Sequence, residues 1–117
     1  MLTVASVNVN GLRAATRKGM HAWLDQRQPD ILTLQEVRAP DELVADLIGP
    51  GWHIAHAESL AKGRAGVAVA TRLPHLAARF GDHHPSFTEN GRWVEVDLEL
   101  PDGAALTVIS AYAHTGD

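Results

Sequence analysis

The chain has 117 residues, 45% of them hydrophobic and 21% charged, with a formal charge of −4 and no cysteine. That length suits one domain, and the composition excludes a disordered, collagen-like or coiled-coil chain. Disulfides, thiolate metal ligands and cysteine nucleophiles are excluded outright, no apolar run approaches the roughly 18 residues of a membrane span, and no basic-then-apolar leader opens the chain, so a cytoplasmic protein is expected.

The first element is a strand over Leu2–Val9, rich in β-branched residues, closed by the turn signal Asn10-Gly11. Met20, Trp23 and Leu24 then follow helical spacing, which predicts a helix from about Arg17 to Arg27, stopped by Pro29. Ile31–Gln35 is a short apolar run of the kind buried in parallel sheets. Pro40 suits the first turn of a second helix, with Asp41 and Glu42 against the helix dipole and Leu43, Val44, Leu47 and Ile48 as its apolar stripe. From there the chain turns to strands: Trp52–His56, Gly66–Thr71, Arg92–Leu100 and Leu106–Tyr112, the last two joined through Pro101-Asp102-Gly103 as a hairpin. A further strand near Leu76–Phe80 precedes a polar loop. The order β-α-β-α followed by strands implies an α/β sheet with helices on one face, with no repeat and no linker.

Charge is segregated. Residues 1–24 carry Arg13, Arg17 and Lys18 without an acid, and residues 59–81 carry Lys62, Arg64, Arg72 and Arg79 without an acid. A phosphate responds to the local field, so a mildly acidic chain can still present a basic face. Ordinary solvated cations account for the same pattern.

The first β-α-β unit is the most informative segment. A right-handed connection makes its two strands parallel and brings their C-terminal ends to one edge, where ligands of open α/β sheets bind. Asn8, Asn10, Gln35 and Glu36 arrive there, beside Arg13 and Arg38. A carboxylate flanked by amides and cations suits a hard cation and a phosphate, since Mg²⁺ takes one or two carboxylates and completes its shell with water and substrate oxygens. Equally, Asn8 and Asn10 could cap a turn while Glu36 pairs with Arg38.

Five blocks narrow the choice: Val7–Ala14, Gln28–Glu36, Lys62–Ala68, Glu89–Arg92 and Ser110–Asp117. In this order they resemble the exonuclease III family of apurinic/apyrimidinic endonucleases, within the endonuclease/exonuclease/phosphatase superfamily. The resemblance implies an α/β fold, residues 1–117 being a single domain or half-domain: the N-terminal half of a four-layer α/β/β/α sandwich, a mixed sheet with helices on one face. It implies Mg²⁺ or Mn²⁺ as cofactor. Asn8 matches the active-site asparagine and Tyr112 the tyrosine on the scissile phosphate. Glu36 matches the metal-binding glutamate, with Asn10 close to the metal. Arg13, Lys62, Arg64 and Arg92 fall in blocks near the DNA backbone. His114 stands where the family often has proline, and Val7 where it often has an aromatic residue.

The family runs to about twice this length. Its second half carries an Asp-x-Asn motif, another aspartate and a near-terminal Asp-His pair, none of which has a match here. The resemblance therefore implies the N-terminal half of a metal-dependent phosphodiesterase acting on double-stranded DNA with abasic sites or 3′ ends, inactive by itself. A sheet face lacking its partner layer, and self-association through that face, are expected from the same half. Two alternatives stand beside this: a superfamily phosphodiesterase acting on RNA, a phosphoinositide or a sphingolipid, and a non-catalytic nucleic-acid-binding module. A histidine metal site is disfavoured, because His53 and His56 lie three apart on a strand and point to opposite faces. Serine hydrolysis lacks its Gly-x-Ser-x-Gly elbow. Gly63–Gly66 has the Gly-x-x-Gly pattern of a KH loop, which four residues match by chance. Trp23 is expected in the core rather than on a base.

Overall fold

A computed structural model describes residues 2–59, 65–81 and 91–113. Among these the order is β1 (Val4–Asn8), α1 (Leu12–Arg17), α2 (Met20–Arg27), β2 (Ile31–Gln35), α3 (Asp41–Ile48), β3 (His53–Ala57), β4 (Val67–Thr71), β5 (Ala77–Phe80), β6 (Trp93–Glu99) and β7 (Ala105–Ala111). The strands form two sheets: a mixed one in the order β1-β2-β4-β3, and an antiparallel one in the order β5-β6-β7.

β1 and β2 pair in parallel, with Asn8 opposite Gln35, as a crossover through helices requires. β2 is buried along almost its whole length because it sits inside the first sheet and both its faces are covered. Leu32 and Leu34 face the helices, packing with Leu12, Leu24, Val44 and Ile48. Ile31 faces the other way, into a second core with Val67, Val69, Val94, Val96 and Leu98. The period of two along β2 and β4 divides the apolar residues between these two cores.

The expectation of a naked sheet face is corrected in part. β6 and β7 of the same chain cover the inner face of β2, β3 and β4, while that of the edge strand β1 stays open, with Val4, opposite the inward-facing Ile31, 57% exposed. The physical reason is the turn after β4, which carries the chain out of the first sheet and starts a second one above it. The far side of that second sheet is also open, and there Ile109 is 45% exposed beside a polar network. There Arg79 bonds Glu95 and both oxygens of Asp97, and Thr107 also donates to Asp97. This surface is not the apolar face expected from the sequence.

The helix expected over Arg17–Arg27 is α2, which begins three residues later at Met20 and ends at Arg27 as expected, and a separate helix the sequence reading did not foresee, α1, precedes it. Gly19, at φ +106°, starts α2 in a backbone region that costs a side chain dearly, and Lys18 closes α1. Among the described residues no helix is long and apolar enough to cross a membrane.

Candidate active site

The loops at the C-terminal ends of β1 and β2 are laced together by backbone hydrogen bonds. Gly11 N–H donates to the Glu36 carbonyl and Leu12 N–H to that of Val37, both at 2.8 Å. Val37 and Arg38 in turn donate to Gly66 and Ala65, and Gly66 donates to Gly91, each at 2.9 Å. The ladder closes where Tyr112 N–H donates to the Arg92 carbonyl at 2.9 Å. All five sequence blocks thus meet at one edge of the sandwich, with the residues between Asn10 and Leu12 clamped onto those between Glu36 and Arg38.

The clamp holds strained backbone. Asn10, Glu36, Arg38 and Ala65 all adopt positive φ, between +48° and +52°. Each such non-glycine residue costs roughly 1–2 kcal/mol, and strain of this kind persists where surrounding structure over-determines it. At Glu36 the left-handed turn takes the chain off β2 and sends the carboxylate to the sheet edge.

Side chains converge on that carboxylate. Asn8 Oδ1 accepts the Asn10 backbone N–H at 3.0 Å, which leaves the Asn8 amide N–H to donate to Glu36. The Tyr112 hydroxyl donates to Glu36 as well. Arg38 Nη2 pairs with Glu36 Oε2 at 3.0 Å; the Glu36 side chain is only 15% exposed and that of Arg38 43%. The Asn8 bond most of all, then those of Tyr112 and Arg38, hold the Glu36 carboxyl below its usual range against the opposing effect of burial. Tyr112 shifts the opposite way: donating to a carboxylate and losing water raise its pKa. Glu36 is therefore an anion over the whole physiological range, with its hydrogen-bond partners in place.

The reading of these residues as a turn cap and an ion pair is the one seen directly. Asn8 does cap the turn and Glu36 does pair with Arg38, and the same atoms form the cluster. Asn10 is exposed on the turn beside Glu36. Arg13 is exposed at the start of α1, on the rim. Arg92 is half-buried close enough to Tyr112 to act on it electrostatically, and its buried Nε has no hydrogen-bond partner among the described residues. Lys62 and Arg64 lie outside the described residues.

Two features were not anticipated. Gly66 and Gly91 are ladder positions: a Cβ on Gly91 would come within 2.6 Å of Ser59 N. Ser110 Oγ donates to the Leu34 carbonyl at 2.9 Å across the sheets. The signal for Ser110 was its place two residues before Tyr112 on one strand face.

One carboxylate and neighbouring amides make an open donor set, and the described residues hold no cluster of three His, Asp or Glu side chains able to enclose an ion. That set fits a hard cation finished by water and substrate oxygens, and does not fit a closed structural zinc site.

A profile of the Endonuclease/Exonuclease/phosphatase family matches residues 5–107. The chain belongs to that family. It is 34% identical over 114 residues to exodeoxyribonuclease III of Haemophilus influenzae, covering 96% of this chain and 41% of that protein. It is 31% identical to the DNA repair nuclease APEX1 of Danio rerio, covering 98% and 38%. The chain thus spans about two-fifths of the length of these curated relatives. Among solved structures, the Xenopus laevis APE2 catalytic domain matches with a TM-score of 0.78 at 24% identity, covering 99% of this chain and 46% of that one, a likeness of fold. An AP endonuclease from Archaeoglobus fulgidus matches with a TM-score of 0.66 at 28% identity, covering 84% and 37%.

Proposed function

We propose that these residues form the metal- and phosphate-binding part of an exonuclease III-like nuclease. Its reaction is metal-dependent phosphodiester hydrolysis on double-stranded DNA, at abasic sites and from 3′ ends. The observation that carries this reading is the anionic Glu36 at a sheet edge, held by Asn8 and Tyr112 and ringed by Arg38 and Arg92. The names of the relatives support the substrate: a DNA repair nuclease in Danio rerio and a DNA-(apurinic or apyrimidinic site) endonuclease in Dictyostelium discoideum. They support nuclease chemistry over an RNA, phosphoinositide or sphingolipid substrate.

In this reading Glu36 and Asn10 hold Mg²⁺ or Mn²⁺. When bound, the ion supplies charge stabilisation at the phosphoryl oxygens. The protein's own contribution is positional. Asn8 fixes the carboxylate's orientation, because its amide is itself fixed by the Asn10 N–H. Tyr112 directs its hydroxyl at the same point and can turn that donor to a phosphate oxygen. Arg92, Arg13, Lys62 and Arg64 supply backbone contacts, whose counterion release gives affinity without sequence preference. Nothing in these 117 residues matches the family's water-orienting aspartate or Asp-His pair, so by itself the chain binds and positions rather than cleaves. General acid–base help alone is worth about 10² to 10⁴-fold. A cytoplasmic enzyme of this kind would meet its substrate directly.

The test is a nicking assay on two duplexes, one with a single abasic site and one intact, using the full-length protein that contains this chain. Mg²⁺-dependent nicking at the abasic site, abolished by EDTA, is expected. Equal cleavage with and without EDTA, or hydrolysis of phosphoinositides with no action on either duplex, overturns the reading.

A further inference from the structure

One layer beneath the Glu36 carboxylate, the two sheets are joined by a polar side chain. Gln35 Nε2 donates to Ser110 Oγ at 3.1 Å and lies 3.3 Å from Ser6 Oγ and 3.4 Å from Thr33 Oγ1. Ser110 is 1% exposed and spends its own hydrogen on the Leu34 carbonyl at 2.9 Å, so its lone pairs are left facing Gln35. Elsewhere the interface between the sheets is built from aliphatic contacts such as Ile31, Val69, Val96 and Leu98.

The register of this bridge is what gives it meaning. Ser6 precedes Asn8 by two residues on the same face of β1. Ser110 on β7 precedes Tyr112 by two residues, and Gln35 immediately precedes Glu36. Each of these residues, of which Ser110 is buried, Gln35 half-buried and Ser6 exposed, therefore neighbours a member of the candidate site along its own chain segment. Aliphatic packing is non-directional and lets two sheets slide by fractions of an ångström, whereas a hydrogen bond weakens steeply once distance and angle are lost.

We propose that Gln35 is a positioning residue: by bonding Ser110 across the sandwich it sets β7 against β2, and so places Tyr112 against Glu36. This rests on the reading of Glu36 as a metal ligand. The neutral amide suits the task, because a carboxylate at position 35 would set a second half-buried anion beside Glu36, and a methionine would fill the space without aiming anything. Outer groups that orient a metal ligand are typically worth 10- to 100-fold in metal affinity.

The experiment measures the Mn²⁺ dissociation constant of the parent protein, Gln35→Met, Ser110→Ala, the double variant and Ser6→Ala, each shown to be folded by a urea melt. Gln35→Met keeps length and volume and leaves Ser110 bonded to Leu34, so no buried donor is orphaned. If that variant does not fold, Gln35→Asn, whose amide is one carbon short of Ser110, takes its place. Gln35→Met and Ser110→Ala are each expected to weaken Mn²⁺ about tenfold, and the double variant no further than the worse single, because both remove the Gln35–Ser110 bond. Ser6→Ala stays within about twofold of the parent. A parent that binds no Mn²⁺ overturns the metal reading of the site. A parent that binds while Gln35→Met binds equally well overturns the positioning role alone, as does a Ser6→Ala loss as large as that of Ser110→Ala.

Discussion

Tyr112 and Glu36 directly follow strands of different sheets, yet the Tyr112 hydroxyl donates to the Glu36 carboxylate. That bond crosses the mouth of the sandwich and joins the exit from β2 to the exit from β7. It makes the protonation states of the two groups mutually dependent.

The dependence is measurable because Tyr112 is the chain's single tyrosine. Its pKa lies above the ordinary value of 10.0, since ionising it would set a phenolate against a carboxylate. In metal-free protein, an ultraviolet titration of tyrosinate is expected to fall back toward 10.0 in Glu36→Gln, which removes that anion. A raised pKa stabilises the fold below the unfolded value and loses the benefit as pH rises through the folded one. Identical titrations for the two proteins would mean that the phenol and the carboxylate do not touch.

Arg79, Glu95 and Asp97 give an acid-side counterpart on the open face of the second sheet. The Arg79 bond, with that of Thr107, pushes the Asp97 carboxyl down to about 2 from 3.8. Its stabilisation is therefore complete above pH 3.8 and is lost as pH falls toward 2. Arg79→Met should melt lower than the parent at pH 5 and show a shallower fall in Tm across that window. Parallel Tm curves would show that the network contributes nothing to the fold.

Gly91 tests the ladder of loops. A Cβ there would stand 2.6 Å from Ser59 N and 2.8 Å from the Ala57 carbonyl, both backbone atoms that cannot rotate away. Gly91→Ala is expected to cost at least about 2 kcal/mol, combining overpacking with a positive φ. Gly103, also at positive φ but with nothing within 4 Å of a Cβ, is the control, and its alanine variant should cost about 1 kcal/mol. Equal losses in urea melts would remove the steric explanation.

For the DNA contacts, Arg13→Gln should lower the slope of log K against log salt by about one unit on an abasic duplex. The same slope as the parent would take Arg13 off the phosphate backbone.

Much of the architecture was legible in the residues. Ile31–Gln35 matched its strand because a run buried on both faces is mostly apolar, and Pro101-Asp102-Gly103 made its hairpin. Other features were not legible. The α1–α2 break depends on a backbone angle at Gly19 that a periodicity of apolar residues does not register. The second sheet depends on where the chain turns after β4, which local pattern leaves open. At the site, Asn8, Glu36 and Tyr112 could be named from their blocks, and their meeting could not be derived from spacing, because 76 residues separate Glu36 from Tyr112. That meeting rests on Gly66 and Gly91, two glycines with no chemistry of their own.

The most direct measurement is the rate of abasic-site nicking by the full-length protein against Mg²⁺ concentration, for the parent and for Glu36→Gln. If Glu36 holds the ion, the variant loses at least about tenfold in rate at low Mg²⁺, and rising Mg²⁺ recovers part of the loss, since glutamine still offers a neutral oxygen. Superimposable curves at every Mg²⁺ concentration would contradict the account.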